Sequence, residues 1–326
     1  MLKRLISLTV VLSCVLLPIS MAQAQDGIDW EAELGDLSGK TLKIIMVGDP
    51  WVTAFDDINP MFEELTGAEI VMDSYGYDQT HEKEVLVGTS EASDYDVIVF
   101  DAPWVGEFAE GGFVEDLTPY LEATDPAIIA WDDFMPSFID VVTWKDAITG
   151  IPFGPYIALQ HYRADLYEEA GLEPAKTIPE FIANAQALTK DGMYGAAMNY
   201  QRGSAIGQAY FEYIYAFGGK PFESEYPGSP DAYADMTPLL DSPESIAVVQ
   251  FFKDMLQYVP VGAENVAWDE RATLFATGQV AVVNAWTVRT PGFANPEQSV
   301  VVDKFDTAMF PHAEGAEPSP PLGGWA

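Results

Sequence analysis

The segment of residues 95–117, YDVIVFDAPWVGEFAEGGFVEDL, constrains the fold of this chain more than any other stretch. Residues 96–100 form a short and nearly continuous apolar run, which is typical of a strand buried on both faces of a parallel sheet. Pro103 disfavours helix at the residue before it, so a turn must separate this strand from a helical turn over Val105–Glu110, which Gly111-Gly112 closes. The pattern therefore predicts an α/β fold.

Asp101 and Trp104 follow directly after this strand. Ligands bind at the carboxyl ends of strands in open α/β sheets, and an aromatic face beside a carboxylate suits a polyhydroxylated ligand. The same pattern also fits a core tryptophan and an aspartate that caps the helix. Both interpretations stay open on this stretch alone.

Two earlier apolar runs, Thr41–Val47 and Glu69–Met72, are also followed by polar and aromatic residues before a helical pattern begins. In a parallel sheet, right-handed crossovers bring such junctions to one edge. We therefore expect Trp51, Gln79 and Trp104 to line a single cleft.

Composition and charge limit the class of protein. A length of 326 residues allows two domains, and 48% hydrophobic residues are ample for packed cores. The formal charge of −36 argues strongly against a nucleic acid or an anionic membrane surface as partner. We interpret acid pairs such as Asp56-Asp57 and Asp132-Asp133 as solvated surface and not as metal ligands or catalytic dyads.

The amino terminus has the three parts of a secretory signal peptide, with Lys3-Arg4, the apolar run Leu5–Ile19 and the small-residue site Ala22-Gln-Ala24. We expect residues 1–24 to be removed and the product to reach the periplasm. No other apolar run is long enough to cross a membrane, so no stable membrane insertion is expected.

The second half begins at Ile151–Tyr156, where two prolines and a glycine predict a crossing between domains. Beyond it, the patterns predict helices over Ile178–Leu188 and Pro243–Tyr258. A strand over Val280–Asn284 leads to Trp286.

Five segments, read in order, resemble an extracellular solute-binding protein of a carbohydrate ABC importer, in the maltose and multiple-sugar binding group. They are FEELTGAEI at 62–70, YDVIVFDAPWVGEFAEGGFVEDLTPYL at 95–121, GIPFGPYIALQHYRADLYEEAGL at 150–172, FATGQVAVVNAW at 275–286 and PPLGGWA at 320–326. The second and third segments are specific when taken together.

The resemblance implies two α/β lobes joined by a hinge of crossing strands, with a sugar or polyol held between them and delivered to the permease subunits of the importer. It implies a first lobe of residues 25–154 and 306–326 and a second lobe of residues 155–305. Members of the group continue into further helices after the Gly-Gly-Trp segment, so we expect this sequence to be a fragment that lacks them. We expect a monomeric binding protein, with no catalytic residues, cofactor or metal.

The resemblance and the strand ends together nominate a set of ligand-binding residues. The loop at Trp104 matches a family ligand loop, Tyr156 follows the first hinge, and Trp286 matches a stacking aromatic. Core packing or helix capping is the alternative role for each candidate. The full set is Asp49, Trp51, Gln79, Asp101, Trp104, Tyr156, Arg202, Trp286 and Trp325.

Two other functions compete with sugar transport. A polyamine-binding transport receptor also combines aromatic rings with acids, so the pattern does not separate it from a sugar receptor. A secreted glycoside hydrolase needs two carboxyl groups roughly 5 to 10 Å apart. With 51 acidic residues such a pair arises easily, so the acids give this reading little support.

Overall fold

The computed structural model describes residues 29–90, 94–190, 192–224, 234–318 and 320–326, and the signal peptide predicted for residues 1–24 lies outside them. The described chain forms a two-lobe α/β structure in which each lobe is built around its own sheet. The elements up to the first crossing are α1 (Trp30–Leu34), β1 (Thr41–Val47), α2 (Trp51–Thr66), β2 (Glu69–Tyr75), α3 (Tyr77–Thr89), β3 (Val97–Ile98), α4 (Val105–Gly111), α5 (Thr118–Ala123), α6 (Pro136–Val141), β4 (Thr143–Trp144) and β5 (Ala147–Ile148).

The first sheet is parallel and has β1 at its centre, in the order β2-β1-β3. Ile44 of β1 lies opposite Met72 on one side and Val97 on the other. The last residues of β1, Ile45–Val47, are buried. Because the three strands are parallel, the loops that follow them meet at one edge of the sheet.

The elements of the second lobe and the crossings are β6 (Phe153–Arg163), α7 (Ala164–Ala170), α8 (Ile178–Leu188), β7 (Tyr194–Ala197), α9 (Ser204–Ala216), α10 (Pro243–Met255), α11 (Trp268–Ala276), β8 (Val280–Trp286), α12 (Thr290–Ala294), β9 (Phe305–Ala308) and β10 (Leu322–Trp325). The sheet has the order β10-β6-β8-β7, and β9 also pairs with β6. Every residue of β8 is buried, which fits a central strand that pairs antiparallel with β6 and parallel with β7.

Two strands connect the lobes. The first part of β6 pairs with β10, with Tyr156 opposite Gly323. At its other edge β10 meets the first lobe, since Trp325 bridges Asp101 and the backbones of Phe100 and Ala326 exchange hydrogen bonds of 2.9 and 3.0 Å. The return of the chain to the first sheet therefore comes at β10.

Most of the predicted elements are present with shifted ends. The helix over Ile178–Leu188 has the predicted bounds, because Thr177 and Glu180 form a capping box at its start. The strand predicted over residues 96–100 narrows to Val97–Ile98, and Val97 is exposed. Val99 and Phe100 beyond it are buried, and the Val99 N–H still donates to the carbonyl of Ile45 at 2.9 Å. Within the described residues, the structure contains no helix with the length and apolar character needed to span a membrane.

Candidate functional site

A cavity of about 290 Å³ lies between the lobes. Its first-lobe wall comes from the loops that follow β1, β2 and β3, and its second-lobe wall comes from α9, α11 and the end of β8. The crossing strands β6 and β10 close it. This volume is near the lower end of the roughly 300–1,000 Å³ typical of ligand pockets, which suits a small ligand.

Five aromatic residues line this cavity: Tyr77, Tyr156, Trp268, Trp286 and Trp325. Tyr156 and Trp286 meet edge to face, with ring centroids 4.9 Å apart. Tyr77 of the first lobe lies 4.9 Å from Trp268 of the second lobe and 6.2 Å from Trp325. The rings therefore form two contacting groups, and the group around Tyr77 spans both lobes.

A glycine allows one of these rings to reach the cavity wall. A Cβ atom at Gly323 would overlap the ring of Tyr156 on the paired strand. Only glycine permits this close approach, so the Gly-Gly-Trp sequence of β10 brings Tyr156 and Trp325 to the same wall.

Three aspartates of the first lobe line the cavity: Asp49, Asp78 and Asp101. Asp101 accepts a hydrogen bond from the Tyr77 hydroxyl at 2.7 Å. Burial raises the pKa of Asp101 to about 7, although the Tyr77 hydroxyl and the backbone N–H of Ala102 act to lower it. Burial also raises the pKa of Asp49, whereas the charge of Arg289 lowers it.

The second lobe contributes a polar pair and an ion pair. Trp268 donates its indole N–H to Oε1 of Gln208. Arg289, which follows β8 in a short 3₁₀ turn, lies 2.8 Å from Oδ1 of Asp269. The sequence does not predict that these groups meet, because they come from three separate segments.

A buried ion pair lies one helical turn beyond Gln208 and Trp268. Nη1 of Arg271 on α11 is 3.5 Å from Oε2 of Glu212 on α9, and both side chains are buried. Burial raises the pKa of Glu212, and the Arg271 charge acts against this. This pair connects the two helices beneath the cavity wall.

Six of the nine residues nominated from the sequence line this cavity. They are Asp49, Gln79, Asp101, Tyr156, Trp286 and Trp325. They come from both lobes and both crossing strands, so the structure brings together residues up to 276 positions apart in the chain, from Asp49 to Trp325.

The other three nominated residues lie outside the cavity wall. Trp104 is buried behind Tyr77, with ring centroids 4.8 Å apart. Trp51 packs edge to face against Phe153 at the start of β6, at 6.2 Å. Arg202 is exposed in the turn before α9, and the neighbouring Gln201 lines the cavity instead.

The sequence-based selection omitted several residues of the wall. Tyr77 and Gln79 both lie in the first turn of α3, directly after β2, and Arg289 lies three residues beyond Trp286. The strand-end argument therefore extends to Tyr77 and Arg289. Trp268 and Gln208 lie on helices, and the strand-end argument does not reach them. Among the described residues, no group of three or more His, Cys, Asp or Glu side chains is arranged to hold a metal ion.

Comparison with known proteins identifies relatives of this two-lobe structure. A solute-binding protein of an ABC transporter from Agrobacterium radiobacter K84, solved in complex with ribitol, superposes with a TM-score of 0.82 at 28% sequence identity, and the match covers 89% of this chain and 71% of that one. The mannitol-binding protein of Pseudomonas aeruginosa is 27% identical over 193 residues, which are 57% of this chain and 42% of that protein.

A third relative is named for a different ligand class. The y4oP protein of Sinorhizobium fredii, named as a probable amino-acid ABC transporter periplasmic-binding protein, is 25% identical over 297 residues, which are 89% of this chain and 64% of that protein. The chain thus spans less than two thirds of the length of both of these sequence relatives.

The family model described as bacterial extracellular solute-binding protein matches residues 47–326. This match runs from the end of β1 to the end of β10 and includes the residues on every side of the cavity. The chain therefore belongs to the bacterial extracellular solute-binding protein family.

Proposed function

We propose that the cavity binds a sugar or polyol and that the protein delivers this ligand to the permease of an ABC importer in the periplasm. The observation that carries the proposal is the cavity wall itself, which combines five aromatic rings with hydrogen-bonding groups from both lobes. Aromatic faces pack against the C–H surfaces of a sugar, and carboxylates and amides bind its hydroxyl groups. The ribitol-bound and mannitol-binding relatives support this ligand class.

A free amino acid fits the cavity less well. Its carboxylate needs a cationic partner, and Arg289 is the single Lys or Arg side chain among the described residues of the wall. Arg289 is already paired with Asp269 at 2.8 Å. The charge of the wall therefore favours a polyol over an anionic group.

The domain limits belong to the same proposal. Residues 25–154 and 306–326 are assigned to the first lobe and residues 155–305 to the second, with the hinge at the start of β6. The last segment still pairs with β6 through β9 before it reaches the first lobe at β10. Gly154 adopts a left-handed φ of 58° next to Pro155, so bending is confined to a few bonds. The protein acts as a monomer without catalytic residues.

A ligand panel tests the binding function. Ribitol, mannitol, glucose, maltose and putrescine are added to the purified protein, and thermal shift is followed by calorimetry. A ligand at 100 times its dissociation constant should add about 2.7 kcal/mol to the free energy of unfolding. If no sugar or polyol shifts the unfolding temperature, the proposal is refuted. The appearance of new reducing ends from oligosaccharides would indicate a hydrolase instead.

A pair of tryptophan variants locates the site. Trp286→Ala should weaken binding by about 1 to 3 kcal/mol, by analogy with stacking of bases on aromatic rings. Trp131→Ala is the control, because Trp131 packs against Phe134 away from the cavity. Equal affinities of the two variants would place the ligand elsewhere.

Small-angle scattering tests the hinge. Binding between two lobes favours the closed form by its differential affinity for that form. The radius of gyration should therefore fall when the identified ligand saturates the protein. An unchanged radius, with a closed profile already present in the empty protein, would contradict the hinge assignment.

A further inference from the structure

The cavity wall carries more acidic than basic side chains. Asp49, Asp78 and Asp101 come from the first lobe, and Asp269 comes from the second lobe. Arg289 is the one Lys or Arg of the described wall, and its contact of 2.8 Å with Asp269 places its charge beside that carboxylate. Neither Asp49 nor Asp101 forms an ion pair with any residue that the structure describes.

Asp101 is removed from water, and Asp49 is half-buried with one carboxyl oxygen removed from water. Asp101 is 2% exposed. Oδ1 of Asp49 is buried and lacks a hydrogen-bond partner within the described part of the chain. A buried carboxylate is costly unless a cation or a set of donors compensates it. The charge of Asp49 adds to the effect of burial in raising the pKa of Asp101. The charge of Asp269 likewise adds to burial in raising the pKa of Asp49, and the charge of Arg289 acts against this. The Tyr77 hydroxyl and the backbone N–H of Ala102 act on Asp101 as donors, which are fewer than an ionised carboxylate can accept.

The surrounding rings add to this preference. Tyr77, Tyr156, Trp286 and Trp325 line the same cavity, and the π faces of such rings attract a cation. The indole N–H of Trp325 is buried and has no acceptor among the described residues, so an oxygen atom of the ligand is its natural partner. The wall therefore favours a ligand that carries both a cationic group and oxygen atoms.

We propose that the preferred ligand is an aminated sugar or polyol whose protonated amine lies between Asp49 and Asp101. This inference rests on the proposed function of the cavity and narrows its ligand class. The hydroxyl groups of the same ligand meet Gln79 and Gln201, whose amides line the cavity. The amine compensates both carboxylates, which a neutral polyol cannot do.

Two matched series of compounds test the charge preference. The open-chain series is D-glucitol, D-glucamine and D-gluconate, and the ring series is D-glucose, D-glucosamine and D-glucuronate. In the open-chain series only the substituent at C1 changes, from neutral to cationic to anionic. In the ring series the amine replaces the hydroxyl at C2, and the carboxylate stands at C6. Titration calorimetry should give the amine about tenfold tighter binding than the neutral compound, because a charge-assisted hydrogen bond exceeds a neutral one by about that factor. The anion should bind most weakly.

Three aspartate variants assign the effect to residues. Asp49→Asn and Asp101→Asn remove the charge but keep the shape, so each should reduce the preference for the amine toward unity without abolishing binding of the neutral compound. Asp132→Asn is the control, because Asp132 is exposed and lies outside this cavity wall. Circular dichroism verifies that each variant is folded.

The outcomes separate this inference from the function on which it rests. If a neutral sugar or polyol binds and its amine binds no more tightly, the inference is overturned while the sugar or polyol function stands. If no member of either series and no compound of the wider panel binds, both are overturned. Putrescine carries amines without hydroxyl groups, and binding of putrescine as tight as that of the best amine would overturn the role given to the hydroxyl groups.

Discussion

Glu84 offers a test of how burial sets the stability of the first lobe. It lies on α3 and its side chain is 0% exposed, and neither carboxyl oxygen has a hydrogen-bond partner among the described residues. Burial raises its pKa from 4.5 to about 9. At neutral pH the folded protein therefore keeps a proton on this side chain, whereas the unfolded chain does not.

The sign of the pH dependence follows from this difference. Between the unfolded and folded pKa values the native state binds one more proton than the unfolded state, so the free energy of unfolding falls as the pH rises. Each pH unit costs about 1.4 kcal/mol. From about pH 5.5 to about pH 7.5, the Glu84 contribution should fall by roughly 2.7 kcal/mol.

Glu84→Gln removes this titration while it keeps nearly the same shape as the protonated acid. The stability gain of the variant over the parent should be small near pH 5 and should grow by about 1.4 kcal/mol per pH unit. Urea denaturation of both proteins across this range measures the difference, in which all other titrating groups cancel. Glu82→Gln on the exposed face of the same helix is the control and should show a nearly constant difference. A pH-independent difference for Glu84→Gln would refute the reasoning.

Three further sets of variants test the packing within the second lobe and behind the cavity. Glu212→Leu or Arg271→Met alone should cost about 3 to 5 kcal/mol because each leaves an unpaired buried charge, and the double variant should cost less than the sum in urea denaturation. Gly195→Ala should lower the free energy of unfolding by about 1 to 3 kcal/mol because the added Cβ would overlap a backbone carbonyl of α8. Gly207→Ala has open space around the added Cβ and should raise the free energy of unfolding by up to about 1 kcal/mol. The reverse order of urea midpoints would contradict this. Trp104→Ala should lower the free energy of unfolding by about 3 to 5 kcal/mol because the ring is buried. A loss below about 1 kcal/mol would show that the ring of Trp104 does not support the cavity wall.

Local patterns were sufficient for the elements and for much of the site. The capping box at Thr177 and Glu180 sets the start of α8, and the apolar run Thr41–Val47 forms β1 with the bounds that its sequence predicts. Parallel strands bring their carboxyl ends to one edge, so the sequence predicts Asp49 and Asp101 at the site, and both line the cavity. These properties depend on neighbours in sequence and on the general geometry of sheets.

Tertiary structure decided which side chains reach the cavity. Trp104 and Tyr77 both follow strand ends, but the packing of α3 against α4 puts the tyrosine at the wall and the tryptophan behind it. Trp268 reaches the cavity from a helix of the opposite lobe. Among 51 acidic residues, the burial of Glu84 and Glu212 is likewise invisible in the sequence. In each case the deciding contacts join segments that are distant in the chain, and burial is a property of those contacts and not of the local pattern.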